Sequence, residues 1–177
     1  DRLMQCAAIM PGDSILNMTA ELTSRMMDIN YGGTVNIVKT VWPLMEQRGG
    51  GDIMVFGSMA GDVLTHNLGA YSATKSATNT WAEVLHYENK DTPIRFLLVC
   101  PPMVNTPLVK QAIEKGPGSI KTAAKENKNM VTPEFIIDAC ETAIEKGEWV
   151  VRPGSAKFMV RLRRFFPRLL WKMMEKA

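Results

Sequence analysis

Short apolar runs alternate with longer stretches of helical periodicity along this chain, and this alternation most restricts its fold. Four runs have the length of a strand: residues 3–9, 53–56, 94–99 and 148–152. Three stretches carry apolar residues at the spacing of a helix face: residues 19–46, 71–88 and 133–146. Continuous apolar runs are typical of parallel strands buried on both faces. Strands that alternate with helices therefore predict an α/β fold, with a parallel sheet and right-handed crossovers.

Two of the helices carry local signals that refine their limits. Gly32-Gly33 falls within the first and predicts an interruption there. Thr132-Pro133-Glu134 predicts a helix start, with a hydroxyl cap and a proline in the first turn. Gly147 predicts the end of that helix.

Tyr71 and Lys75 are four residues apart and project from the same face of the predicted helix. There the ammonium can lower the pKa of the phenol, which would then donate and accept a proton for a carbonyl/alcohol couple. Ser58, thirteen residues before the tyrosine, could steady the reacting oxygen, and Asn30 lies twenty-eight residues before the serine. Taken singly, each has an ordinary structural explanation: a helix-interior asparagine, a strand-end hydroxyl, a surface tyrosine. Their joint spacing favours catalysis.

Four segments in this order resemble the short-chain dehydrogenases/reductases: 28–33, 49–61, 70–75 and 100–107. The resemblance covers about residues 1–150 and implies a Rossmann-like three-layer fold around a parallel sheet. It also implies NAD(P)-dependent hydride transfer, in which Tyr71 is the acid/base and Ser58 orients the substrate. Lys75 would bind the nicotinamide ribose, and Asn30 would hold a water that links Lys75 to solvent.

The same resemblance implies cofactor contacts beyond Tyr71 and Lys75. Ala7 lies in the turn after the first strand, where Gln5-Cys6-Ala7-Ala8 replaces the usual Asn-Asn-Ala-Gly. Pro101, Val104 and Thr106 follow the 94–99 strand and would contact the nicotinamide, although a rigid loop is the alternative. Short similarities to the 3-ketosphinganine reductases indicate a lipid-like ketone or alcohol as substrate and slightly favour NADPH over NAD. No metal is predicted.

A phosphate-binding turn of the form Gly-x-Gly-x-x-Gly is absent from the 177 residues, since Gly49-Gly50-Gly51 precedes a strand instead of following one. We therefore expect the chain to represent the C-terminal portion of a longer enzyme, without its first strand–helix units and inactive alone. The alternative is a non-catalytic relative that keeps the fold for association or membrane attachment.

Two regions lie outside the catalytic pattern. Residues 107–130 are polar and lysine-rich and fall where the family has its mobile substrate lid. Residues 152–177 form a separate tail with eight basic residues, a single glutamate and many bulky apolar side chains. The tail predicts either a helix on an anionic membrane surface or an ordinary helix packed on the domain or on a second subunit. Nucleic-acid binding is the weaker interpretation, because no recognised motif supports it.

The remaining sequence features concern environment and assembly. Three widely spaced cysteines are typical of a reduced, cytoplasmic protein. No apolar run is long enough to predict a transmembrane helix. The family resemblance implies a homo-oligomer built from the two long helices that carry Asn30 and Tyr71.

Overall fold

A four-stranded parallel sheet is the centre of the computed structural model, which describes residues 1–115 and 130–174. The strands β1 (Arg2–Gln5), β2 (Gly51–Phe56), β3 (Ile94–Val99) and β4 (Val150–Val151) lie side by side in chain order. Leu3 pairs with Ile53 and Ile53 with Phe96, which shows the register across the first three strands. The predicted parallel sheet is confirmed.

Helices connect and cover the strands. They are α1 (Ala20–Met27), α2 (Gly33–Gln47), α3 (Gly69–Glu88), α4 (Pro107–Lys115), α5 (Pro133–Glu145), α6 (Ala156–Phe165) and α7 (Pro167–Met174). One π-helical turn, Asp28–Gly32, joins α1 to α2. The predicted interruption of the first helix is therefore a widened turn, and α1 and α2 continue through it.

The sheet has an apolar core on each face. Alternate side chains of β2 and β3, such as Ile53 and Leu98, pack with Val38 and Trp42 of α2. Met54 and Leu97 point to the opposite face and pack with Ile136 and Cys140 of α5. A sheet buried on both faces explains why its strands are continuously apolar. The Rossmann-like three-layer arrangement predicted from the sequence is confirmed.

The limits of two strands differ from the prediction. β1 ends at Gln5 instead of Ile9, and β4 comprises only Val150 and Val151. The backbone N–H and C=O of Ile9 are both hydrogen-bonded to the side chain of Asn30, at 2.8 and 2.9 Å. The Asn30 side chain thus satisfies the backbone hydrogen bonds that a neighbouring strand would otherwise make with Ile9, and Ile9 lies outside the sheet.

Local signals around α5 act as predicted. The Thr132 hydroxyl accepts a hydrogen bond from the N–H of Phe135 at 3.2 Å and caps the helix. Gly147 follows the helix with a φ of 68°, a left-handed conformation that glycine adopts without strain.

The predicted lid and tail are described in part. Residues 107–115 are helical, and residues 116–129 lie outside the described part of the chain. In the tail, Pro167 begins a second short helix, as expected from its inability to continue the first. None of the helices in residues 1–115 and 130–174 combines the length and hydropathy needed to cross a bilayer.

Candidate active site

The predicted site residues gather where parallel strands end. Ala7 follows β1, Ser58 follows β2 and Pro101 follows β3. In open α/β sheets, ligands bind in the crevice at the carboxyl ends of the strands. The N–H of Met59 donates to the carbonyl of Pro101 at 3.0 Å, so the loops after β2 and β3 are joined at this edge. The sheet topology thus brings together residues that are far apart in the sequence.

Tyr71, Ser58 and Lys75 form the centre of this cluster. The Tyr71 phenol is hydrogen-bonded to the Ser58 side chain, although the two residues come from different elements. The Lys75 ammonium lies 5.9 Å from the centre of the Tyr71 ring and donates to the carbonyl of Phe56 at 2.7 Å. The arrangement holds a phenol beside a hydroxyl and a cation, which suits proton transfer to an oxygen.

Burial dominates the electrostatics of the pair. Desolvation raises the pKa of Tyr71 to about 12, and the hydrogen bond from Ser58 opposes this rise. Desolvation also lowers the pKa of Lys75 to about 8, opposed by the nearby Cys100 and Cys6 thiols. Each shift favours the neutral form, as expected when an ionisable group leaves water.

The prediction that Lys75 lowers the pKa of Tyr71 is therefore wrong for this structure. The sequence places both residues on one helical face, but it does not reveal that α3 buries that face. Burial raises the pKa of the phenol by more than the hydrogen bond from Ser58 lowers it. Tyr71 is consequently protonated at neutral pH, which is the state of a proton donor.

Asn30 is connected to this cluster through Thr74. Its Nδ2 donates to the Thr74 hydroxyl at 3.0 Å, and that hydroxyl donates to the carbonyl of Tyr71 at 2.8 Å. The Asn30 side chain also binds both backbone groups of Ile9, so it fastens the segment after β1 to the helices. Its own carbonyl, in the π-helical turn, accepts from the Thr34 hydroxyl at 2.7 Å. A water held there, as predicted, stays a prediction.

Asn79 is a positioning residue that sequence reasoning missed. Its Nδ2 donates to the carbonyl of Ser58 at 3.1 Å, and its Oδ1 accepts from the N–H of Ser58 at 3.4 Å. A side chain at Gly57 would place its Cβ 2.0 Å from Asn79 Oδ1, so glycine is required for this close approach. The available signal was the spacing: Asn79 is eight residues after Tyr71 and four after Lys75, on the same face of α3.

The loop after β3 is held by backbone hydrogen bonds. Val104 forms an isolated parallel bridge with Val131, and the N–H of Asn105 donates to the carbonyl of Val131 at 3.0 Å. The Thr106 hydroxyl lies 3.4 Å from the carbonyl of Val104. Pro101, Val104 and Thr106 thus belong to one ordered loop beside Ser58, which suits either interpretation of this segment. Their contacts with a cofactor stay a prediction, as does the role of Ala7.

The residues at this edge fit the nicotinamide end of a dinucleotide. A buried lysine and a buried phenol offer polar groups at the carboxyl ends of β1, β2 and β3, where this fold binds nucleotides. Tyr71 and Lys75 would hold the nicotinamide ribose, and the loop from Pro101 to Thr106 would border the ring. The part of the site that binds pyrophosphate has no glycine-rich turn within these 177 residues.

Known proteins are similar to this chain in sequence and in fold. The profile of the short chain dehydrogenase family matches residues 1–117. Dehydrogenase/reductase SDR family member 7B of Rattus norvegicus is 26% identical, over 98% of this chain and 54% of its own length. 3-Dehydrosphinganine reductase TSC10B of Arabidopsis thaliana is 29% identical, over 92% of this chain and 50% of its own length. The chain thus spans about half the length of the curated relatives it matches.

Solved structures agree on the fold. A short chain dehydrogenase from Burkholderia cenocepacia, crystallised in complex with NADP, superposes with a TM-score of 0.80 at 20% identity, covering 98% of this chain and 68% of that one. A short chain dehydrogenase/reductase from Burkholderia phymatum, in complex with NAD, gives 0.76 at 20% identity, covering 92% and 64%. Strand order, the spacing of Ser58, Tyr71 and Lys75, and the profile match lead to one conclusion. The chain belongs to the short-chain dehydrogenase family.

Proposed function

We propose that this chain carries the catalytic residues of an NAD(P)-dependent oxidoreductase that interconverts a hydrophobic ketone and a secondary alcohol. The observation that carries the proposal is the buried Tyr71 phenol, hydrogen-bonded to Ser58 and adjacent to Lys75. Family membership and the NADP- and NAD-bound neighbours support the reaction class.

The chain's own residues manage the proton on the reacting oxygen. In reduction, Tyr71 Oη donates its proton to the carbonyl oxygen while Ser58 hydrogen-bonds the same oxygen. A bound nicotinamide dinucleotide supplies the hydride that the carbonyl carbon receives, or takes it up in the reverse direction. Lys75, when protonated, stabilises the phenolate that remains after proton transfer. The raised pKa of Tyr71 keeps the phenol protonated at neutral pH, which is the state that a proton donor requires in reduction.

A long-chain, lipid-like ketone with NADPH as the reductant is the proposed substrate pair. The sequence similarity to a 3-dehydrosphinganine reductase supports this choice. NADPH is one of the cofactors present in structural neighbours, together with NADP and NAD. The segment most suited to select the substrate begins with α4, directly after the loop that ends at Thr106.

A second candidate is a non-catalytic relative that uses the fold for association. We also propose a cytoplasmic homo-oligomer. Exposed apolar residues on the long helices, including Leu44 of α2 and Val84 of α3, offer a surface for pairing.

A fluorescence titration of the 177-residue chain with NADPH and with NADH tests whether these residues complete a nucleotide site by themselves. Saturable micromolar binding supports the oxidoreductase, and turnover of a long-chain ketone then tests the substrate. Tyr71→Phe keeps the ring and removes the proton, so we expect activity to fall by about 10²–10⁴-fold with nucleotide affinity little changed. Tyr87→Phe, on the exposed side of the same helix, is the matched control.

Failure to bind either nucleotide is the expected result if the units that hold the pyrophosphate lie outside these 177 residues. The same titration and assay on a longer chain that carries those units would then separate the oxidoreductase from the association module. Equal turnover by Tyr71→Phe and the wild-type chain would contradict the proposed role of the phenol.

A further inference from the structure

The two C-terminal helices turn one side toward the domain and leave the other side uncovered. Leu170 of α7 is 1% exposed, and Ala156 at the start of α6 is fully buried. The ring of Trp171 packs against His66 with 5.4 Å between ring centres. These contacts hold both helices on the domain, so the residues on their opposite side lie at the protein surface.

On α6, the uncovered side carries a basic row next to an aromatic row. Lys157, Arg161 and Arg164 are exposed and follow one another at spacings of four and three residues, which places them on one stripe. Phe158 and Phe165 are seven residues apart and lie beside this stripe, with 64% and 69% of their surface exposed. Two phenylalanines in water are unfavourable, because each leaves a large apolar area unburied.

The arrangement repeats on α7. Arg168 and Lys172 are four residues apart and exposed, and so are Leu169 and Met173 in the neighbouring row. Phe166 lies between the two helices and is 60% exposed. We call these exposed basic and apolar rows together the outer surface of α6 and α7.

The outer surface carries an excess of positive charge. Residues 152–174 contain no aspartate or glutamate. Within the described part of the chain, no salt bridge includes any of the five cations of the outer surface, which are Lys157, Arg161, Arg164, Arg168 and Lys172. By contrast, Arg152 at the edge of the tail pairs with Asp62 at 3.4 Å. The outer surface thus combines uncompensated positive charge with exposed aromatic side chains.

We propose that the outer surface of α6 and α7 docks on an anionic lipid bilayer. Amphipathic helices with basic and aromatic residues lie in the plane of a membrane, with their apolar side chains at the boundary of headgroups and acyl chains. The phosphates of acidic lipids complement the charge of the basic rows. This attraction requires no fixed spacing between individual phosphates and cations. At ten and eight residues, these helices would lie on the bilayer surface.

Docking requires no nucleotide and no reaction, so it does not depend on the proposed function. It would nevertheless place the candidate active site close to the membrane. Trp171 connects α7 to His66, which lies in the loop between Ser58 and Tyr71.

Flotation of the full 177-residue chain with vesicles tests the proposal. One set of vesicles is phosphatidylcholine alone, and the other contains 30 mol% phosphatidylserine, about the fraction needed for a substantial surface potential. We expect binding to the second set only, and weaker binding as salt is raised, because surface charge is screened. This salt series needs no variant and therefore does not depend on the folding of a mutant.

Charge and apolar variants test the two rows separately. Removal of three cations in R161Q/R164Q/R168Q should lower the vesicle partition coefficient about a hundredfold, at roughly fivefold for each basic residue. The control K39Q/K90Q/K146Q removes three exposed cations elsewhere and should change it much less. F158S/F165S should also weaken binding, whereas L16S/I137S, exposed apolar residues outside the tail and outside the surface proposed for pairing, should not.

Three results would overturn the proposal. The first is no flotation with acidic vesicles at low salt, and the second is unchanged binding by R161Q/R164Q/R168Q. The third is self-association in ultracentrifugation that F158S/F165S abolishes while vesicles bind nothing, which would assign the outer surface to a second copy of the chain.

Discussion

Replacement of Lys75 by methionine should reveal the free-energy cost of burying its ammonium. Lys75 is 4% exposed, and burial lowers its pKa from 10.5 to about 8. Each tenfold change in proton affinity is worth about 1.4 kcal/mol, so this fall corresponds to about 3 kcal/mol. Methionine has nearly the same shape and carries no charge.

The penalty depends on pH in a definite direction. Below pH 8 the lysine is protonated in both the folded and unfolded states, and the folded state carries the full cost of the buried charge. Between about pH 8 and 10.5 the unfolded chain binds a proton that the folded chain has released, so the free energy of unfolding rises with pH. Above this window both forms are neutral, and the penalty is gone.

Urea denaturation followed by circular dichroism, from pH 7 to pH 11, measures this effect. We expect the unfolding free energy of the wild-type chain to gain about 3 kcal/mol relative to Lys75→Met across the window. Groups common to both chains cancel in the difference. Lys39→Met, which alters an exposed lysine on α2, should run parallel to the wild type.

The loss of a hydrogen bond to the carbonyl of Phe56 adds a constant offset in Lys75→Met below the window, but it does not create a slope. A difference between the two chains that stays constant from pH 7 to 11 would refute the assignment of Lys75 as a desolvated cation.

Three further substitutions test the framework of the site. Asn30→Ala removes hydrogen bonds to Ile9 and Thr74, so the unfolding free energy should fall by about 2–4 kcal/mol in urea titrations, against little change for the exposed Asn36→Ala. Gly57→Ala would place a methyl group 2.0 Å from Asn79 Oδ1, so the free energy of unfolding should fall by about 1–3 kcal/mol. Gly33→Ala, where the nearest atom is 3.9 Å away, should not destabilise the fold. Equal thermal midpoints for the two variants would contradict the packing argument. Asn79→Ala frees the backbone of Ser58, and in a chain that turns over we expect kcat/KM to fall at least about tenfold, mainly through kcat; an unchanged kcat would remove Asn79 from the positioning residues.

Much of the fold was predictable because its signals are local. The apolar run at residues 94–99 became β3 with the predicted limits, and the cap at Thr132 began α5 where a hydroxyl and a proline indicated. The predicted parallel sheet is also confirmed, since right-handed crossovers leave few alternatives for consecutive parallel strands. By contrast, the predicted β1 was too long. The backbone of Ile9 is hydrogen-bonded to the side chain of Asn30, twenty-one residues away, instead of to a neighbouring strand.

The candidate site shows the same division. Spacing together with the family resemblance selected Tyr71, Lys75, Ser58 and Asn30, and the sheet brings Ser58 to the phenol. Asn79 was not predicted, because its spacing from Tyr71 and Lys75 indicates a role only once Gly57 and Ser58 are known to lie against it. The tail left two interpretations open. The structure shows that Leu170 packs on the domain while Phe165 is exposed, and docking on a membrane stays a proposal.

The sequence by itself determined the order of strands and helices, the caps and the identity of the residues available for proton transfer. Periodicity and turn chemistry act over a few residues, and they can be read without knowing what packs where. Only the tertiary structure decided how strongly those residues are perturbed. Whether Tyr71 is a ready acid or a ready base depends on its removal from water, and that removal is produced by segments distant in the chain. Electrostatic free energy depends on burial and distance, which are properties of the assembled fold.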